Sequence, residues 1–256
     1  MCSTYGCSES AGVRVIDPAR PDGHRRDHEH DREETAERTR TLLLEQEVLA
    51  KNDVRADRNR RWLAEREILA LNLMSSPGAG KTTLLERTLR ESESELPLSV
   101  IEGDQETLLD TDRLRAAGCS VVQINTGAGC HLDADMLAGG LSSLDPPRHS
   151  VVLVENVGNL VCPALFDLGE HDKVVIASVT EGENKPLKYP NMFRATDLVL
   201  LNKVDLLPHL DYDIGLFTRY AKRINPEIRV LPVSAKTGRG MLAWYDWLHL
   251  NIPVAA

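Results

Sequence analysis

The sequence has 256 residues, with 30 Lys and Arg against 39 Asp and Glu, for a net charge of −9. A chain of this size, 42% hydrophobic, has room for one α/β domain and an appendage. The acidic balance argues against a nucleic-acid surface. Glu155, Asn156 and Asn159 break the longest apolar stretch, so no membrane span is expected.

Residues 1–34 are polar and irregular, with Cys2, Cys7, Pro18, Pro21 and a run of charges and histidines, and read as a mobile tail. They lack the basic and then apolar segments of a secretory signal, so a cytoplasmic location is expected. Residues 35–68 read as a helical segment, with a stripe of Leu42, Leu43, Leu44, Val48 and Leu49 and later Trp62, Leu63 and Ile68. Asn52 and Asp53 either break this helix or lie within it.

From residue 69 to 256 the pattern alternates strands and helices. Strands are expected at 70–75, 98–102, 120–124, 150–155, 173–179, 197–202 and 228–233. Helices are expected at 81–92, 105–116, 132–141, 163–169, 187–193, 213–224 and 239–249. This predicts an α/β fold of the P-loop type, a mostly parallel central sheet flanked by helices. Ligands in such folds gather beyond the carboxyl ends of the strands.

The first strand leads into Ser75-Ser76-Pro77-Gly78-Ala79-Gly80-Lys81-Thr82, followed by Thr83. The spacing is that of a P-loop, with Ser75 in place of the first glycine. Main-chain N–H groups around Gly78, Ala79 and Gly80 can converge on phosphate, Lys81 supplies a cation, and the Thr82 hydroxyl can ligate Mg²⁺. The competing reading is an ordinary Gly/Ser turn between strand and helix.

Further along, Asn202-Lys203-Val204-Asp205 ends an apolar strand, and Ser234-Ala235-Lys236 follows another. The Asp205 carboxylate can accept from the ring N–H and amino group of guanine, and adenine offers neither in that arrangement. Asn202 would tie the loops together, the Lys203 stem would lie along the base, and a main-chain N–H of residues 234–236 would meet the guanine O6. Together with the P-loop these segments imply GTP and GDP as ligands.

Glu102 and Asp104 follow one strand and Glu155 another, offering hard oxygens for Mg²⁺, directly or through water. The competing reading of Asp104 is a helix N-cap, a role compatible with the metal-linked one. Lys81, Asp104 and Glu155 form the expected catalytic set, and Gly158 the γ-phosphate sensor. Asn159 stands where Ras-like proteins place a water-orienting glutamine, so slow hydrolysis is expected.

Cys130 and His131 follow a Gly-rich turn, and Cys162 lies just beyond Gly158. Two thiolates and an imidazole suit Zn²⁺ or Ni²⁺, although the spacing alone fits buried cysteines and a capping histidine equally well. Cys119, before a strand, reads as a small core residue. Because Cys162 follows the Glu155–Gly158 loop, a γ-phosphate acting on Gly158 would shift it relative to Cys130 and His131. With the five cysteines beside a site for cytosolic nucleotide, reduced thiols or metal ligands are expected rather than disulfides.

The segments EGDQET, NTGAGCHLD, ENVGNLVCP, SVTEGENKPLKYP and LLNKVDLLP together resemble the HypB family of hydrogenase nickel-incorporation GTPases. The resemblance covers roughly residues 35–256. It implies a SIMIBI-class GTPase supporting nickel delivery to the [NiFe]-hydrogenase large subunit, with a HypA-like metallochaperone as partner and GTP-dependent homodimerisation. It also implies that Cys130, His131 and Cys162 form the G-domain metal site. The Lys185–Lys188 segment recurs in the family; no firm chemical role is read for it, and it is expected to be a nucleotide-facing or dimer-surface loop.

The N-terminus departs from the Cys-x-x-Cys-Gly-Cys nickel motif of some relatives, since Tyr5 takes the middle cysteine's place. Cys2, Cys7, His24, His28 and His30 then form either a labile nickel site or a solvated linker. A urease accessory GTPase of the UreG type is an alternative, but its Cys-Pro-His motif is here split into Cys-His and Cys-Pro. A nickel store with incidental hydrolysis would call for a richer histidine tail, and a scaffold using the 35–68 helix would show little phosphate release.

Overall fold

The computed structural model describes residues 30–92, 97–104, 109–127 and 129–253. The chain divides into two units, 1–51 and 52–256. In the first, the described backbone from His30 onward is helical. The second carries the sheet.

Helix α1 (His30–Glu65) continues through Asn52 and Asp53 and leads into strand β1 (Leu69–Ser75). Then follow α2 (Lys81–Ser92), β2 (Leu98–Asp104), α3 (Leu109–Ala116), β3 (Ser120–Asn125) and α4 (Ala134–Leu144). β4 (Val151–Glu155), α5 (Cys162–Leu165), β5 (Asp172–Ser178), α6 (Lys185–Lys188) and α7 (Pro190–Arg194) come next. The chain closes with β6 (Leu198–Asn202), a 3₁₀ turn (Val204–His209), α8 (Ile214–Ile224), β7 (Arg229–Pro232) and α9 (Met241–Asn251). Among the described residues, no helix is long and apolar enough to cross a membrane.

The seven strands pair in the order β3-β2-β4-β1-β5-β6-β7, and every pairing is parallel. β1 lies at the centre between β4 and β5. Both faces of the sheet are covered, so its strands read as continuous apolar runs. Alternation then sorts the side chains: Leu69, Leu71 and Leu73 pack on one face with Leu84, Leu85 and Leu89 of α2 and Trp244 of α9. Ala70 points to the other face, toward Leu63, Leu137 and Leu141, while Met74 joins Phe193 and Phe217.

Local chemistry sets the element ends. The Asp133 side chain accepts from the Met136 N–H, so α4 begins at Ala134 rather than at 132. The expected helix at 187–193 is two short helices, because Pro190 lacks the N–H needed to continue the first. The expected helix at 163–169 ends at Leu165.

Asn52 does not end α1 because its side chain bonds outward, donating to Asp167 O at 2.7 Å and accepting from Ala134 N at 2.9 Å. Buried Asn59 donates to both Ala134 O and Leu168 O at 2.8 Å. Gly169 sits under this helix at φ +84°, where a Cβ would approach Ala56 O to 2.2 Å.

Replacing Asn59 with Ala strands two carbonyls at this joint. We expect Asn59→Ala to lower unfolding stability by about 2–3 kcal/mol, measured by urea denaturation, with the slope unchanged.

Candidate nucleotide and metal site

The chain leaves β1 at Ser75, turns through residues 76–80 and enters α2 at Lys81. Gly78 and Gly80 hold φ values of +76° and +95°, a region glycine enters without steric cost. A Cβ on Gly80 would also lie 2.6 Å from Asn202 Nδ2. The loop walls a cavity of about 440 Å³, which Asp104, Glu155, Gly158 and Lys203 also line.

Lys81 Nζ donates to Glu155 Oε1 at 2.6 Å and to the Asn156 carbonyl at 2.8 Å. Thr82 Oγ1 donates to the same Glu155 oxygen at 3.0 Å. Glu155 Oε2 is buried without a hydrogen-bond partner among the described residues. An orphaned carboxylate oxygen beside a threonine hydroxyl fits Mg²⁺ or a water held by it. Asp104 lines the same cavity, whereas the buried Glu102 accepts a bond from the Thr111 hydroxyl of α3. A helix cap by Asp104 would involve residues 105–108, which lie outside the described residues.

The segments expected to read the base are tied to one another and to the P-loop by side chains. Asn202 donates to Ala79 O and accepts from Ala235 N, each at 3.0 Å. Lys203, at φ +63°, donates to Gly78 O at 2.7 Å. Ser234 Oγ donates to Asp205 Oδ1 at 2.6 Å. Thr83 and Lys236 are exposed.

The structure adds Arg87, which sequence reasoning missed, and shows what Lys185 of the 185–188 segment touches. Arg87 of α2 donates to Ala235 O at 2.6 Å and to Lys236 O at 3.1 Å, backing the second base loop from behind. Lys185 is only 5% exposed. Its Nζ donates to Ser76 Oγ of the P-loop at 2.7 Å and pairs with Glu181, whose other oxygen accepts the Ser178 N–H. Burial lowers the Lys185 pKa, and Glu181 opposes that shift. An isolated Lys among charged neighbours carries no sequence signal of burial.

Cys130 Sγ lies 2.9 Å from Cys162 Sγ and 3.7 Å from His131 Nδ1. All three ligand atoms fall within 4.8 Å of one another. His131 stacks on Phe166 with ring centroids 4.0 Å apart. Burial lowers its pKa, against the pull of Asp133, and favours the neutral ring that can ligate metal. The donor set fits Zn²⁺ or Ni²⁺ and is unsuited to Mg²⁺. Asn159 faces this cluster: its Nδ2 donates to Cys130 O at 3.4 Å and its Oδ1 accepts from Val161 N at 2.9 Å.

Cys119 packs, half-buried, against the core. Cys2, Cys7, His24 and His28, and the side chain of His30, lie outside the described residues.

A parallel sheet with a Gly-rich phosphate loop on its central strand and a thiol–imidazole cluster beside it defines a P-loop nucleotide-binding protein with an attached soft-metal site. The family model described as CobW/HypB/UreG, nucleotide-binding domain, matches residues 69–232. The hydrogenase maturation factor HypB of Azotobacter vinelandii is 56% identical over 211 residues, 82% of this chain and 70% of that protein. The crystal structure of HypB from Archaeoglobus fulgidus superposes with a TM-score of 0.74 at 39% identity, covering 80% of this chain and 100% of that one. HypB from Helicobacter pylori in complex with nickel gives a TM-score of 0.73 at 35% identity, covering 80% and 99%. The chain belongs to the HypB family of hydrogenase maturation factors.

Because Gly80 satisfies both a left-handed backbone and the contact with Asn202, Gly80→Ala should weaken binding of a fluorescent GDP analogue by about tenfold or more. A melting temperature close to that of the parent would show that the loss is local.

Proposed function

We propose that this protein is a GTPase whose nucleotide state governs a Ni²⁺ or Zn²⁺ site at Cys130, His131 and Cys162, and that it supports nickel insertion into [NiFe]-hydrogenase. One observation carries this reading. A single segment, Glu155 to Cys162, supplies the acid that faces Lys81, the Gly158 that lines the phosphate cavity and a thiol of the metal cluster.

In this reading the N–H groups of residues 78–83 cradle the phosphates, and Lys81 leaves Glu155 for the β- and γ-phosphates. Mg²⁺, when bound, neutralises charge on the phosphates, and Thr82, Glu155 and Asp104 would hold it directly or through water. Asp205, steadied by Ser234, accepts from the guanine edge. Asn202, Lys203, Ala235 and Lys236 fix the loops around the base.

Asn159 is turned to the metal loop, which supports slow intrinsic turnover, since no glutamine stands in its place to orient water. Three protein ligands leave a coordination position open. A second copy in a GTP-dependent homodimer, a HypA-like metallochaperone or the hydrogenase large subunit would fill that position as metal passes on. The cytosol, where GTP is available, is the compartment this activity needs. Cys2 and Cys7 remain candidates for a separate, weaker nickel site in the tail.

Nickel titration followed by sulfur-to-nickel charge transfer, with GDP and with a non-hydrolysable GTP analogue, tests the reading. The signal should vanish in Cys130→Ala/Cys162→Ala, and the affinity should differ between nucleotides. A signal that survives in this variant would place the metal in the tail. Asp205→Ala removes two charge-assisted bonds and should cost GDP about 10²- to 10⁴-fold in affinity, with no comparable loss for ADP. Equal losses for both nucleotides would remove the guanine assignment.

A further inference from the structure

We propose that Asn156 is the positioning residue that couples the P-loop to the thiol–imidazole cluster, an inference that rests on the nucleotide and metal reading above. Asn156 is fully buried at the end of β4. Its main-chain carbonyl accepts from Lys81 Nζ at 2.8 Å. Its side-chain carbonyl accepts from the Leu132 N–H at 3.1 Å, the residue after His131, and from Val157 N at 2.9 Å. One residue therefore holds the phosphate-binding lysine at one end and the metal loop at the other.

The remaining polar atoms of this residue are fixed as well. Asn156 Nδ2 donates to Asn72 Oδ1 at 3.1 Å, and Asn72 Nδ2 donates to Glu170 Oε1 at 3.1 Å. Glu170 Oε2 accepts the Leu168 N–H at 2.6 Å, two residues after the Phe166 ring that stacks on His131. The network reaches His131 from its backbone side through Leu132 and from its ring side through the Phe166–Leu168 segment. Asn72 interrupts an otherwise apolar buried strand, a position that is costly unless both ends of the amide are paired.

In the proposal it is the γ-phosphate that draws Lys81 fully away from the Asn156 carbonyl, so the anchor differs between the GTP and GDP states. The turn at 155–157 then loses its cationic anchor, and the same residue's side chain passes the displacement to Leu132 and His131. This route runs through β4 and β1 and differs from a shift of Gly158 and Cys162 along the chain.

The test uses the full chain and Ni²⁺. Nickel affinity is measured with GDP and with a non-hydrolysable GTP analogue, and tail binding is subtracted with Cys130→Ala/Cys162→Ala. The parent should show a ratio between the two states of about fivefold or more, the low end of ordinary coupling between sites. Asn156→Ala, and Asn72→Leu, which touches neither ligand, should bring that ratio to within about twofold of unity. In Asn72→Leu, nickel affinity in the GDP state should stay within about threefold of the parent's.

A merely structural role would lower the melting temperature and both affinities together while leaving the ratio intact, and that result overturns the proposal. If Asn156→Ala does not fold, Asn72→Leu decides alone. A parent ratio of one would remove the coupling in the proposed function and the relay with it. A coupled parent with equally coupled variants removes the relay only.

Discussion

In the parallel pairing of β1 with β4, Leu73 stands opposite Glu155, and the P-loop begins two residues further along β1. That register places a buried carboxylate where Lys81 and Thr82 can both reach it. A slip of one residue would turn the carboxylate to the opposite face of the sheet and leave the lysine without a partner. A charge pair this deep persists only when its remaining lone pairs are engaged, and Glu155 keeps one oxygen without a donor among the described residues. The site is therefore built around an interaction that a nucleotide and a hard cation would complete.

The segments proposed to read guanine depend on the same centre. Asn202 and Lys203 reach back to the carbonyls of Ala79 and Gly78, so β6 and the phosphate loop are held as one piece. Arg87 extends that piece from α2 to the loop after β7. Loops bound to one another in this way lose little further freedom when a ligand arrives, which lowers the ordering cost of binding.

The thiol–imidazole cluster lies on the loops beyond β3 and β4. Its three candidate ligands come from the loop after β3 and from the start of α5, and Phe166 closes over His131. Asn59 and Asn52 anchor the ends of those segments to α1, so the helix ahead of the P-loop also steadies the metal side of the domain. Soft and hard ligand sets thus lie on one strand's continuation without competing for the same ion.

The sequence by itself determined the order of strands and helices and the glycine loop after β1, and it nominated the guanine-reading segments and three candidate metal ligands. Each is written locally: apolar periodicity over one element, glycines where a Cβ would block the turn, or donor types suited to one ligand. The tertiary structure alone decided which distant groups meet. Glu102 turns to Thr111, Lys185 is buried under the P-loop 109 residues away, and Arg87 supports a loop 148 residues further on. α5 stops at Leu165, after which Leu168 and Glu170 enter the Asn72 network, a bond made across the sheet and invisible to periodicity. Local propensity fixes what a segment can form, whereas the pairing of buried polar groups is settled only when non-neighbouring strands bring them within hydrogen-bonding distance.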